Sequence, residues 1–214
     1  MMRKVSPGTC RRFCVKRLTN GSVARCGEQS DNAFTLIELL VVFGIILILA
    51  GLVLSTVGYA RKKGARARAE TEIAAMSAAC ESYRSDNGVY PSNGNTNNLD
   101  ARTNGNSSSP SYNLASLALY NLLFGATNGS RTPDPGARSY FVFKPNMLSP
   151  TDQTQNVLFI RDPFGYSYGY STIQAANPGD TTKGYNPTFD LWTTCGLITS
   201  PPSATDQNQW IKNW

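Results

Sequence analysis

Glu38 is the lone carboxylate in a long apolar run, residues 34–60 (FTLIELLVVFGIILILAGLVLSTVGYA), and residues 39–54 carry no polar side chain at all. An acid inside such a span costs on the order of 2.5 to 3.5 kcal/mol, so its presence marks a functional site by default. A cut between Ala33 and Phe34 would place a new positive amine one helical turn from this carboxylate. Glu38 then has two available uses. It serves its own amine and its own helix N-terminus, both favourable to an anion, or it meets the amine of a neighbouring subunit, where a low-dielectric setting makes matched charges select one register.

Other chemistry is sparse. The 214-residue chain has no histidine, which removes an imidazole base, a His-ligated zinc and a histidine switch. It also lacks the nucleophile-elbow, phosphate-loop and dinucleotide-binding glycine patterns, so no enzyme is expected. Of five cysteines, Cys10, Cys14 and Cys26 would leave with the leader. Cys80 and Cys195 remain, and an even pair in an oxidising compartment is open to bridging. Cys80 is equally readable as a buried free thiol on an apolar helix stripe. The net charge of +6 is concentrated at the front, since residues 1–33 hold +5 and the remainder +1. A basic leader with no folded basic surface argues against nucleic-acid binding.

These residues need elements to position them. The apolar run exceeds the roughly 20 residues that cross a bilayer as a helix and keeps no polar face for over four turns, so a membrane span is expected. What precedes it is a long basic leader, not a short apolar signal ending in a small-residue cleavage site. The leader favours a cytoplasmic N-terminus, while the cations Arg61, Lys62, Lys63, Arg66 and Arg68 argue the other way. A long polar domain follows, and such domains translocate regardless of charge. The basic cluster itself reads as a solvated collar, as a contact for acidic lipid headgroups, or as a contact for acidic groups of adjacent subunits.

From residue 61 to about 86 the composition stays helical, and residues 34–86 would form one rod of roughly 80 Å, with Gly44, Gly51, Gly58 and Gly64 as potential bends. Ala69, Ile73, Met76, Cys80 and Tyr83 recur at steps of four and three, a stripe that should pack on the domain's own sheet. Asn87-Gly88 with Pro91 ends the helix. Residues 92–111 are rich in Asn, Ser, Thr and Gly and are expected to be mobile with little to bury. A short helix is predicted over 112–124, stopped by Gly125. Strands are predicted at 139–144, 157–160, 167–171 and 189–192, with Asp162-Pro-Phe-Gly165 as a turn. The expected fold is α+β: a long N-terminal helix whose second half packs on a small antiparallel sheet. The chain divides into a leader (1–33), a membrane or filament-core helix (34–60), the outer helix and cap (61–91), a variable loop and short helix (92–138), and a sheet with a C-terminal loop (139–214).

Phe34-Thr-Leu-Ile-Glu38-Leu-Leu, after a basic leader, resembles the class III signal of type IV pilins and type II secretion pseudopilins. The resemblance implies a pilin-like fold, a prepilin peptidase that cuts after Ala33 and methylates Phe34, and Phe34 with Glu38 as the assembly residues. The family usually has glycine where this chain has Ala33. Tyr83, Asp86 to Gly88, Tyr90 and Pro91, then Asp162-Pro-Phe-Gly165 with Tyr168 and Tyr170, then Phe189-Asp-Leu-Trp192 and Trp210 to Trp214, are similar to segments of major pseudopilins of the G type. That resemblance implies an inner-membrane, single-pass protein with its C-terminal domain in the periplasm, polymerising with copies of itself and meeting minor pseudopilins and an inner-membrane platform. It also implies a calcium-binding loop before the C-terminus, with Asp190, Asp206 and Asn208 as the candidate ligands for Ca2+. Residues 193–209 hold a single carboxylate, and a prolyl loop pinned by Trp210 and Trp214 is the alternative there. A type IV pilin or minor pseudopilin is the near rival. A membrane-tethered domain that never polymerises, its Asn/Ser-rich loop contacting polysaccharide, is the rival of another class.

Overall fold

The computed structural model describes residues 34–214. The leader, including Ala33 and the three leader cysteines, lies outside the described residues. The chain divides into two compact units, one ending at Ile48 and the other spanning Leu49–Trp214. Helix α1, Leu36–Asn87, contributes to both and continues through Gly44, Gly51, Gly58 and Gly64. Its start is apolar on every side. Among the described residues it is the one helix long and apolar enough to cross a membrane.

The larger unit is built on the outer half of α1. Ala69, Ile73, Met76, Ala79 and Cys80 are buried, and Tyr83 packs beside them. The predicted stripe therefore faces the domain's interior, because its four-and-three spacing keeps one side of the helix against the core. Helix α2, Pro110–Phe124, starts with proline at its first turn and stops where Gly125 takes the left-handed conformation at φ 74°. Two small antiparallel sheets complete the fold. Strands β1 (Leu148–Ser149) and β2 (Phe159–Ile160) pair, while β3 (Gly169–Ser171), β4 (Asp190–Thr193) and β5 (Ile211–Lys212) form a sheet with β4 in the middle. The short helices α3 (Ile173–Ala176) and α4 (Ala204–Gln207) lie in the connections.

Strand β4 is buried along its whole length, and alternation of its side chains divides the interior. Leu191 joins the core that includes α1, whereas Trp192 joins a second one with Leu99, Ala101, Tyr112, Ala115 and Trp210. Gly169 sits opposite Trp192 in the register. A β-carbon at Gly169 would collide with the indole, so the glycine between two tyrosines makes room for the tryptophan. Trp192 Nε1 donates to Tyr112 Oη at 2.9 Å, which satisfies its polar edge inside that second core.

Two expectations about the outer domain are corrected. Residues 139–144 do not form a strand. The amides of Tyr140 and Phe141 donate to Leu123 O at the end of α2, at 2.7 and 3.2 Å, and the ring of Phe143 packs tilted against Tyr120 and edge-on against Phe141. An extended aromatic segment thus caps a helix instead of joining a sheet. Residues 92–111, read as a loop with little to bury, include Thr96, Leu99, Ala101 and Ser107, all of them buried. Asn93, Asp100, Asn104 and Asn106 each accept from an amide two residues on. The polar composition is turn chemistry, which folds this segment tightly enough to seat its few apolar groups. Thr172 N donates to Thr96 O at 2.9 Å and Ser171 Oγ to Leu99 O at 2.5 Å, which fastens it beside β3.

Candidate functional site

The first candidate is the start of α1. Thr35 precedes the first helical residue, and Glu38 lies three positions on. Thr35 N and Thr35 Oγ1 both donate to Glu38 Oε2, at 2.9 and 2.8 Å, while Glu38 N donates to Thr35 Oγ1 at 3.3 Å. This reciprocal arrangement is a capping box, which satisfies amides that a helix N-terminus otherwise leaves without partners. The carboxylate also sits at the positive end of the helix dipole. Thr35 was not among the residues singled out from the sequence, although the Thr-x-x-Glu spacing is the signal that would have found it. Phe34 is 84% exposed, and every large apolar side chain from Leu39 to Leu54 is at least half exposed. One acid held against its own helix end, followed by about five turns of bare hydrocarbon, suits insertion into an apolar surrounding and has no built cavity for a substrate.

Within the larger unit, charged groups fasten the outer half of α1. Glu72 accepts from Arg68 Nε at 2.6 Å and from Tyr168 Oη at 2.8 Å, and its side chain is only 11% exposed. Arg66 Nη1 donates to Gln209 O at 2.8 Å. Asp86 pairs with Arg138 at 2.5 Å. Asp162, at the predicted turn, accepts from the amides of Phe164 and Tyr166 at 3.0 and 2.7 Å and from the hydroxyl of Thr193. Burial pushes the Asp162 carboxyl above its ordinary range, and these donors hold it back. The turn is thereby tied to β4.

The expected calcium ligands have separate local roles. Asp190 is buried and accepts from the amides of Tyr185 and Asn186, both at 2.8 Å. Burial pushes it up to about 6, against the pull of those amides. Asp206 accepts from Ser203 N and Ser203 Oγ at 3.0 and 2.7 Å as the capping box of α4, and these bonds hold it below the usual carboxylate range. Asn208 closes the end of that short helix, its amide donating to Ala204 O at 3.0 Å. Among the described residues no group of three acidic or thiol side chains is arranged to hold a metal. The three residues thus serve separate local hydrogen bonds and do not converge, which departs from the expected calcium loop.

The proposed Cys80–Cys195 bridge is likewise corrected, since both thiols are free. Cys80 is fully buried on the α1 stripe beside Tyr170, and burial pushes its thiol up to about 12. Cys195 lies at the far end of β4, where Arg66 Nη1 approaches its sulfur at 3.4 Å.

Residues 29–54 match the prokaryotic N-terminal methylation motif. The matched stretch contains Ala33, Phe34, Thr35 and Glu38 and ends at Leu54, where the part of α1 without polar side chains ends, and it supports a type IV pilin-like protein. No curated protein and no solved structure is similar enough to be matched. The long apolar helix behind that signal fits a single-pass membrane anchor.

Proposed function

We propose that this chain is a structural subunit of a type II secretion pseudopilus, of the major pseudopilin type. A prepilin peptidase removes residues 1–33 and methylates the amine of Phe34. The apolar helix then leaves the bilayer to bundle with copies of itself, trading one low-dielectric setting for another. The copies meet head to tail, and a contact that does not close on itself produces a filament. Minor pseudopilins and an inner-membrane platform are its partners, and the folded domain lies in the periplasm. No reaction is assigned to the protein itself.

The observation that carries this reading is the methylation motif laid over a helix whose start combines one carboxylate with an apolar surface exposed on every side. In the folded outer domain Glu72, Asp162, Asp190 and Asp206 are engaged in hydrogen bonds of its own packing. The resemblances at Asp86 to Gly88, Asp162 to Gly165 and Phe189 to Trp192 favour the secretion type over a surface pilin.

N-terminal mass spectrometry of the native protein should find a mature terminus at methylated Phe34. Filament yield should then be compared for Glu38→Gln and Glu38→Ala. Glutamine keeps an acceptor for Thr35 and loses the charge, whereas alanine loses both. The charge-based assembly role expects both variants to fail to polymerise while remaining in the membrane. Filaments from Glu38→Gln at the native yield would reduce Glu38 to a helix cap. An intact Met1 terminus, with solitary copies in the membrane, would favour the tethered domain.

A further inference from the structure

The five cations between Arg61 and Arg68 fall into two groups in the structure. Arg66 is spent on Gln209 O and Cys195, and Arg68 on Glu72. Arg61, Lys62 and Lys63 are exposed and appear in no ion pair among the described residues, Lys62, one turn from Arg66, acting only through its charge on the Cys195 thiol. No carboxylate stands three or four positions from any of them, since those places hold Val57, Gly58, Tyr59, Ala60, Gly64, Ala65, Arg66 and Ala67. Helix spacing therefore gives them no intrahelical partner.

Their position along α1 is specific. At 1.5 Å per residue, Tyr59 lies about 8 Å beyond Leu54, the last residue of the stretch without polar side chains, and the three cations lie roughly 10 to 14 Å beyond it. A bilayer's polar layer extends only about 5 to 8 Å past its hydrocarbon on each side. Lysine and arginine side chains are long enough to fold back across the difference, and an exposed tyrosine between them and the apolar run is the usual companion at that depth.

Their arrangement around the helix chooses the partner. Three consecutive residues point in directions about 100° apart and so span most of the circumference. A protein neighbour docks on one face and would leave at least one of the three in water. A layer of headgroups surrounds the helix and meets all of them. We infer that Arg61, Lys62 and Lys63 form a collar that binds anionic phospholipid headgroups around α1. The inference rests on the membrane-anchor reading. It also gives these cations a use on the side of the membrane where the charge rule would not place them.

The test uses the full chain, reconstituted into vesicles of phosphatidylcholine alone or mixed two to one with phosphatidylglycerol. After extraction in mild detergent, the lipid retained per protein is measured by native mass spectrometry. The wild type should retain phosphatidylglycerol above its share in the vesicle. Neutralising each cation in turn (Arg61→Gln, Lys62→Gln, Lys63→Gln) should lower that preference by about fivefold per site. Added salt should weaken it, since these charges are exposed. Lys144→Gln, an exposed cation elsewhere, should change nothing, and the charge-keeping swap Arg61→Lys with Lys62→Arg should preserve the preference. Native retention in the triple neutralised variant overturns the proposal. So does a carboxylate crosslink from Lys62 to a second copy that forms equally in both lipid mixtures. A chain that floats with neither vesicle overturns the anchor reading as well, whereas one that floats with both and shows no lipid preference overturns this proposal alone.

Discussion

Along α1, residues 39–54 present Leu, Val, Ile and Phe on all sides and keep each of them at least half exposed, while Ala69, Ile73, Met76 and Cys80 further on are buried. The two stretches share a helix and differ in pattern. The second confines its apolar groups to one stripe, which a folded domain can cover, and leaves the other side to Arg, Glu and Thr. The first has no polar side, so no single packed face could satisfy it. Its surroundings must be apolar in every direction, as a bilayer or a bundle of like helices is. The contrast separates a stretch that makes the domain stable from one that suits an apolar surrounding.

Stability measurements can break that separation, taken on the detergent-solubilised chain. Trp192→Ala should have the largest effect, about 3 to 5 kcal/mol of destabilisation in urea unfolding, because it empties the centre of the second core and removes the donor to Tyr112 Oη, which keeps only its own bond to Asn104 O. A loss below about 1 kcal/mol would mean that the outer domain is not organised around β4.

Asp190 provides the next test. Its folded-state value of about 6 against an ordinary 3.8 means that the folded protein holds this proton more tightly than the unfolded chain. Stability from this group is therefore present below about pH 3.8 and is lost as pH rises through 6, by at most about 3 kcal/mol. Thermal unfolding of the wild type against Asp190→Asn, from pH 4 to 7, should show the wild type losing ground as pH rises. A flat difference would show that Asp190 is not desolvated. Asp100 and Arg102 act on the same carboxyl in opposite senses, so Arg102→Gln should push the transition to higher pH.

Tyr168→Phe should cost about 1.5 to 3 kcal/mol, since it removes a hydrogen bond to the largely buried Glu72 and leaves Arg68 as that carboxylate's remaining partner. An unchanged unfolding midpoint would detach α1 from β3 energetically. Leu47→Ala, in the bare stretch, should shift the domain's unfolding by less than about 0.5 kcal/mol. A larger shift would erase the distinction between the two parts of α1.

Much of this was readable beforehand where local rules are strong. The α1 stripe, the stop at Asn87-Gly88, the stop of α2 at Gly125 and the turn at Asp162 each follow from spacing or from a residue suited to one backbone conformation. Thr35 was legible by the same kind of rule. Residues 139–144 misled because an alternating aromatic run reports extended backbone and says nothing of its hydrogen-bond partner, here the end of a helix. Strands β1 and β5 are two residues long, too short for any period to register.

The amino-acid order alone determined that this protein has a basic leader, an apolar helix with one acid near its start, and a folded domain behind it. Those properties reside in composition and in periodicity along a single helix, which need no distant partner to be expressed. Only the tertiary structure decided that Asp190 and Asp206 work apart, that Cys80 and Cys195 are not bridged, and that Arg66 and Arg68 are hydrogen-bonded into the domain while Arg61, Lys62 and Lys63 form no ion pair among the described residues. Each of these depends on which groups, far apart in the chain, come within hydrogen-bonding reach, and that is a property of the packed core.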